Sequence, residues 1–382
     1  MSIRLKRVVM VLLVLGIFVS PAVLSGTAHA DKLQEAIAKA PAGTGKGQVD
    51  PNGPVGYLGI PGGLQINLVV AFIWAVWVGW VFSTVGAFGG ILAGVGHISV
   101  FGLGDYAKSF KDTAPGLNKF ITDSVRVSNQ WLVGLSALVS SVNYGRQKRL
   151  GIALGVIMGA GSLVAAFLVA YTTMGKVKFS EYQGYFGLIV FIIGGFMVYD
   201  MSPRGQASKK AAKAAIKAFE DTIKKKGDIT QMGVKTDRFS ISRIEFSFFG
   251  QKFSFSPVWA FVGGFVISAI SSFIGVGGGF LYVPFLTSVT GLPMFVAAGT
   301  SALAVLISMI LSIFNFMIKG VTVHWALIGV ELVGIFVGSM VGPRTGKYIP
   351  EKALKTFFII LAVYVGLGYT LAGFAGIKMP GI

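Results

Sequence analysis

Apolar residues fall along the chain in ten runs, at about 66–88, 89–103, 121–144, 150–172, 184–201, 258–275, 278–292, 296–318, 321–342 and 354–375. In hydrocarbon such runs must be helical, because no other open structure satisfies its own backbone hydrogen bonds. Several are interrupted by glycine clusters and are too short to cross a bilayer comfortably. One polar insert, 203–256, separates the runs into two sets of five. Within it, 208–226 predicts an amphipathic helix with Ile216, Phe219 and Ile223 on one face. Residues 245–256 alternate Phe and Ser around Gly250 and Gln251, which predicts a β-hairpin.

Composition places these runs in a membrane. Hydrophobic residues make up 54% of the 382 and charged residues only 13%, against roughly 25% charged in soluble domains. That excludes a soluble enzyme and a disordered chain. The formal net charge is +18, but an excess of Lys and Arg in cytoplasmic loops explains it without nucleic acid. By that rule 145–149, 203–256 (net +7) and 343–355 are cytoplasmic and the weakly charged loop at Lys319 lies outside; 174–183 is also placed outside, although the charge of Lys176, Lys178 and Glu181 argues mildly against it. There is no Cys, and the three His (His29, His97, His324) are scattered. No cofactor and no metal centre is expected.

Residues 1–30 read as a signal peptide. A basic start (Arg4, Lys6, Arg7) leads into an apolar run that ends at Ala28-His29-Ala30. Residues 31–64 carry no net charge and read as a short helix with a loose Gly/Pro-rich lead outside the cytoplasm. The first membrane repeat is then 65–202 and the second 257–382.

The two halves match. The cluster from Gly86 through Gly89 and Gly90 aligns with Gly275, Gly277, Gly278 and Gly279. Ser128, Asn129, Ser136, Ser140 and Asn143 align with Thr300, Ser301, Ser308, Ser312 and Asn315 at one constant offset, and the surplus length of the first half falls in 104–120. The loop charges give the halves opposite orientations. The expected fold is an all-α polytopic membrane protein with two inverted-topology repeats of four to five hydrophobic segments. Broken or re-entrant helices are expected at the glycine clusters. Secondary transporters are built this way, with substrate bound near the midplane.

Residues 275–279, Pro284, the Gly291-Leu292-Pro293 turn, the Ala298-Gly299-Thr300-Ser301 run and the spaced Gly334, Gly338 and Gly342 together resemble the sulfite exporter TauE/SafE family, also called the toluene sulfonate uptake permeases. The resemblance covers roughly 65–375 and is more specific in the second half. It implies movement of a small sulfur-containing or carboxylate anion across the inner membrane.

Bare backbone at Gly275, Gly277, Gly278 and Gly279, and at Gly86, Gly89 and Gly90, can turn consecutive N–H groups toward an anion. The same glycines can serve helix packing. Thr300, Ser301, Asn315, Asn129 and Asn143 lie on matched polar stripes, which either line a cavity or bond neighbouring helices. Glu331, alone in an apolar run, is a proton-carrier candidate, with His324 seven residues earlier on the same face. Arg126 either draws in an anion or anchors at the interface, and His97 reads as structural. The expected partners are a small anion and the bilayer, with anionic-lipid contact through 208–226. A cation or metal-ion permease is the rival reading, followed by a sensor or scaffold acting through the insert. A membrane enzyme is disfavoured.

Overall fold

The computed structural model describes residues 30–85, 89–173, 176, 179–207, 210–225, 227–274, 279–377 and 379. All but the last residue of the expected signal segment, together with Gly86, Gly275, Gly277 and Gly278, lies outside the described residues. Each of the ten apolar runs contains a helix among its described residues. The first set comprises α2 (Leu68–Val85), α3 (Gly89–Val95, prolonged by a π-helical turn Gly96–Val100), α5 (Pro115–Arg146), α6 (Ile152–Thr173) and α7 (Phe179–Met201). The second comprises α10 (Pro257–Ile274), α11 (Gly279–Pro284, with a π-helical turn Phe285–Val289), α12 (Met294–Ile318), α13 (Trp325–Thr345) and α14 (Glu351–Thr370). Shorter helices are α1 (Ala30–Ala38), α4 (Leu103–Ser109), α8 (Pro203–Ala207) and α9 (Lys210–Lys224). Among the described residues, four helical stretches are long and apolar enough to cross a membrane: Ile152–Thr173, Tyr182–Tyr199, Met294–Ile318 and Trp325–Tyr348.

Packing follows a regular scheme. Helix α2 lies on α13, and α10 lies on α6. Helix α7 packs on α14, α5 on both α12 and α13, and α12 on α6. The broken helices α3 and α11 touch each other. Exchanging the members of the two sets in order leaves this scheme unchanged. Small residues make the closest approaches. Gly334 lies against Phe72 and Ala75, Gly338 against Val76 and Trp80, and Gly342 against Ser83. That is the register of two helices running the same way. On the other side Gly161 meets Phe261, and Gly264 meets Met158.

The longest helix, α5, is also strongly polar, and it is the centre of the molecule. Of its 32 residues 23 are buried, among them Asp123, Arg126, Asn129 and Gln130. Polar side chains are costly in lipid, so they turn inward while neighbouring helices present Leu, Val, Ile and Phe outward. Exposed Phe167, Phe196 and Phe336 belong to that outer surface.

The basic segments gather on one face. The Val234 N–H donates to the Lys148 carbonyl, and Phe219 of α9 packs on Phe295 with ring centroids 4.4 Å apart. Arg149 is sandwiched among Tyr144, Phe219 and Phe295, and burial pulls its pKa below the ordinary arginine value. Helix α9 and residues 347–350 border a hollow of about 630 Å³. The insert also carries a three-stranded antiparallel sheet, β1 (Lys235–Phe239), β2 (Ile244–Phe248) and β3 (Gln251–Phe255). Strands β2 and β3 form the expected hairpin, with Phe248 opposite Gln251. Strand β1 was not legible, because all five of its residues are exposed and none marks a buried face.

On the opposite face Lys319 lies over the Tyr171 ring. The lead segment is there too, and the expectation that it is loose is wrong. Tyr57, Leu58 and Ile60 are buried, and the chain is closed on itself by bridges Ala42–Val49 and Val55–Pro61. Tyr57 Oη bonds Ser124 at 2.9 Å. Three apolar anchors hold a segment whose glycines and prolines alone suggest freedom.

Candidate functional site

The site grows from α5. Asn129 sits near its middle with no exposed surface. Its Oδ1 is 2.5 Å from Nδ1 of His97, on the π-helical turn after α3. The other ring nitrogen, Nε2, is 3.1 Å from Oε2 of Glu331 in α13. All three side chains are fully buried. Glu331 Oε1 finds no partner among the described residues. Asn129 Nδ2 points to the Tyr182 hydroxyl at 3.5 Å. A π-helical turn shifts side chains out of helical register and is frequent at functional sites. Here it brings His97 into the interior.

One turn before Asn129, Arg126 is also fully buried. Its guanidinium donates to Asp123 Oδ1 at 2.8 Å, to Thr173 Oγ1 at 3.0 Å and to the Ser272 carbonyl at 3.4 Å. It also lies over the Phe316 ring. An interfacial anchor would reach water, so that reading of Arg126 is overturned. Its position near Ser272 places it beside the last described turn before the second glycine cluster.

The remaining expected residues separate into two groups. Thr300 accepts from the Gly151 N–H at 3.0 Å, and Ser301 bonds the Ala298 carbonyl. Asn143 reaches the Ser339 carbonyl at 3.4 Å, Ser136 shares a hydrogen with Ser339, and Ser308 with Ser268. Apart from Ser301, whose bond stays within α12, these side chains tie separate segments of the fold together. Ser140, its counterpart Ser312, and the Nδ2 of Asn315 are buried and find no partner among the described residues. Gly89 and Gly90 are buried at the start of α3, where a side chain on Gly89 would meet Phe82 and Val78. Gly279 opens α11.

Two further sequence assignments change. His324 is no neighbour of Glu331 in function. It precedes α13, and its Nδ1 accepts the Leu58 N–H at 3.2 Å. Partial burial favours the neutral ring, the form that has the acceptor this bond needs. His97, read as structural, is the partner of Glu331. Gln130, with both amide atoms buried and unpartnered among the described residues, was missed altogether. The available signal was general: a polar or ionisable side chain inside an apolar run is a functional candidate.

Comparison with known proteins places the chain in a family. A family model described as "Sulfite exporter TauE/SafE" matches residues 71–369. "Probable membrane transporter protein YunE" of Bacillus subtilis is 22% identical over 301 residues, covering 78% of this chain and 96% of that protein. A "Probable membrane transporter protein" of Haemophilus influenzae is 28% identical over 134 residues, 31% of this chain and 48% of that one. No solved structure matches the chain.

Proposed function

We infer the activity from a plain premise: the chain belongs to the sulfite exporter TauE/SafE family. It is a multi-pass membrane transporter and not an enzyme. Its cargo, on our reading, is a small anion: sulfite, a sulfonate or a related organosulfur or carboxylate anion. The anion crosses the inner membrane by alternating access. The two sets of helices act as inverted-topology repeats. Supporting this, the packing scheme survives their exchange, and α3 and α11 meet where each set breaks.

The observation that carries the anion is the chemistry of the buried groups around α5 and α12. Hydroxyls of Ser140 and Ser312 and amide donors of Gln130 and Asn315 are buried without partners among the described residues. Such groups are costly unless something bonds them. Of the two buried carboxylates, Asp123 is paired with Arg126, and Glu331 meets His97 through Oε2 while its Oε1 has no partner among the described residues. A cation permease needs carboxylates that converge on its cargo. An anion needs donors, which these hydroxyls and amide nitrogens supply. Gly89, Gly90 and Gly279, the described glycines of the two clusters, belong to the same reading as sources of backbone N–H groups. Exposed Lys213, Lys217 and Lys224 on α9 serve as contacts for anionic headgroups on the basic side.

Counterflow in proteoliposomes tests the reading. Vesicles loaded with unlabelled sulfite, methanesulfonate, isethionate or acetate are given the labelled species outside. Saturable exchange of at least one oxyanion is expected, and none of sodium, potassium or manganese. Exchange of a cation, or of no anion in the panel, contradicts it.

A further inference from the structure

We propose that the transporter is a proton–anion symporter in which His97 and Glu331 together hold the proton, one for each anion. This rests on the permease reading and adds the coupling ion and its carriers. The geometry fixes the protons already present. Asn129 directs Nδ2 to Tyr182, so its Oδ1 faces His97 and accepts the Nδ1–H. The other ring nitrogen and Glu331 Oε2, 3.1 Å apart, then share a single proton. Whichever atom holds it, the pair carries no net charge.

A second proton has a defined place to go. With Nε2–H donating to Glu331, the free Oε1 can be protonated, which leaves the pair at +1. An uncompensated buried charge is costly in the membrane interior. A monovalent anion bound nearby cancels it. The anion therefore favours the proton and the proton favours the anion, as reciprocal linkage requires. The empty carrier and the loaded carrier are then both neutral at this pair, and both can change conformation. The proton enters from water on one side and leaves to water on the other. Only N–H and O–H bonds form and break.

Among the described residues, the other titratable groups on the elements around the pair are the following. On α5, Asp123 and Arg126 neutralise each other. Helix α7 gives Tyr182, whose hydroxyl meets Asn129. The lead gives Tyr57, whose hydroxyl bonds Ser124. Helix α14 gives Tyr369, bonded to Ser99. Helix α4, against the π-helical turn, carries Asp105, Tyr106 and Lys108. Helices α2 and α3 have no titratable residue. Asn129 is a positioning residue here, since it sets the His97 tautomer.

The test uses the full chain in proteoliposomes with labelled methanesulfonate, which stays a monoanion from pH 5 to 8, or with whichever oxyanion exchanges best. A pH step of one unit should drive about tenfold accumulation toward the alkaline side. An entrapped pH dye should report proton entry with the anion. Glu331→Gln and His97→Gln should lose the accumulation and the dye signal, and their remaining exchange should become independent of pH. Glu331→Asp should restore part of the accumulation. If the unaltered protein exchanges anion but neither accumulates it nor moves protons, the inference is overturned while the permease stands. Accumulation that survives Glu331→Gln also overturns it. If that variant exchanges nothing, the dye signal of the unaltered protein decides. Absence of anion exchange in the unaltered protein overturns both.

Discussion

Arg126→Leu should cost the fold about 3–5 kcal/mol, the usual penalty for leaving one member of a buried ion pair alone. Asp123, whose side chain is only 8% exposed, loses the guanidinium 2.8 Å away. Thr173 and the Ser272 carbonyl lose a donor as well. These partners come from α5, α6 and α10, so the loss reaches across both sets of helices. Replacing both charges, in Arg126→Leu with Asp123→Leu, should recover most of the stability, because neither ion is then stranded. Arg126→Lys should be intermediate, since a point charge cannot serve three acceptors with the geometry of a fork. Unfolding in lipid micelles, compared across the four proteins, measures this. A single-variant loss below about 1 kcal/mol would mean that the pair is hydrated and exposed, which is the ordinary surface value.

Gly338→Val should be as damaging, by about 3 kcal/mol or more, for a different reason. A side chain at 338 would overlap the carbonyl oxygen of Val76. Backbone cannot rotate away as a side chain can, so α2 and α13 must separate along their whole contact. Gly334 and Gly342, one turn to either side, hold the same helices together and would lose their contacts too. Gly329 is the internal control. It lies in α13 with open space beside it, so Gly329→Ala should be neutral or stabilising by about 0.5–1 kcal/mol, the helix-propensity gain. The same unfolding measurement reads both. Equal behaviour of the two variants would mean that the close approach of α2 and α13 is absent in the folded protein.

The helices were readable in the sequence because lipid leaves so few alternatives. Runs of apolar residues mark the helices, and loop charge sorted the segments onto faces that the structure keeps together, as Lys148, Lys347 and α9 show. The polar stripe was readable as a stripe, but its partners were not. His97 and Glu331 are 234 residues apart, and the turn that aims His97 inward is a local departure from helical spacing. A helical wheel put His324 beside Glu331 instead. Periodicity places residues on one helix and says nothing about which helix packs against it. The same limit hid the role of Arg126, whose acceptors come from two other helices. It also hid the order of the lead segment, whose Tyr57 is fixed by Ser124 rather than by its own neighbours.

The most direct test of alternating access places one cysteine at Ser312, since the chain has none of its own. Ser312→Cys, in protein that still exchanges anion, should react with a small charged thiol reagent added from either side of the membrane. A transported oxyanion should slow that reaction. A cysteine that stays inert to reagent from both sides during active exchange would show that the anion passes elsewhere, and would contradict the account.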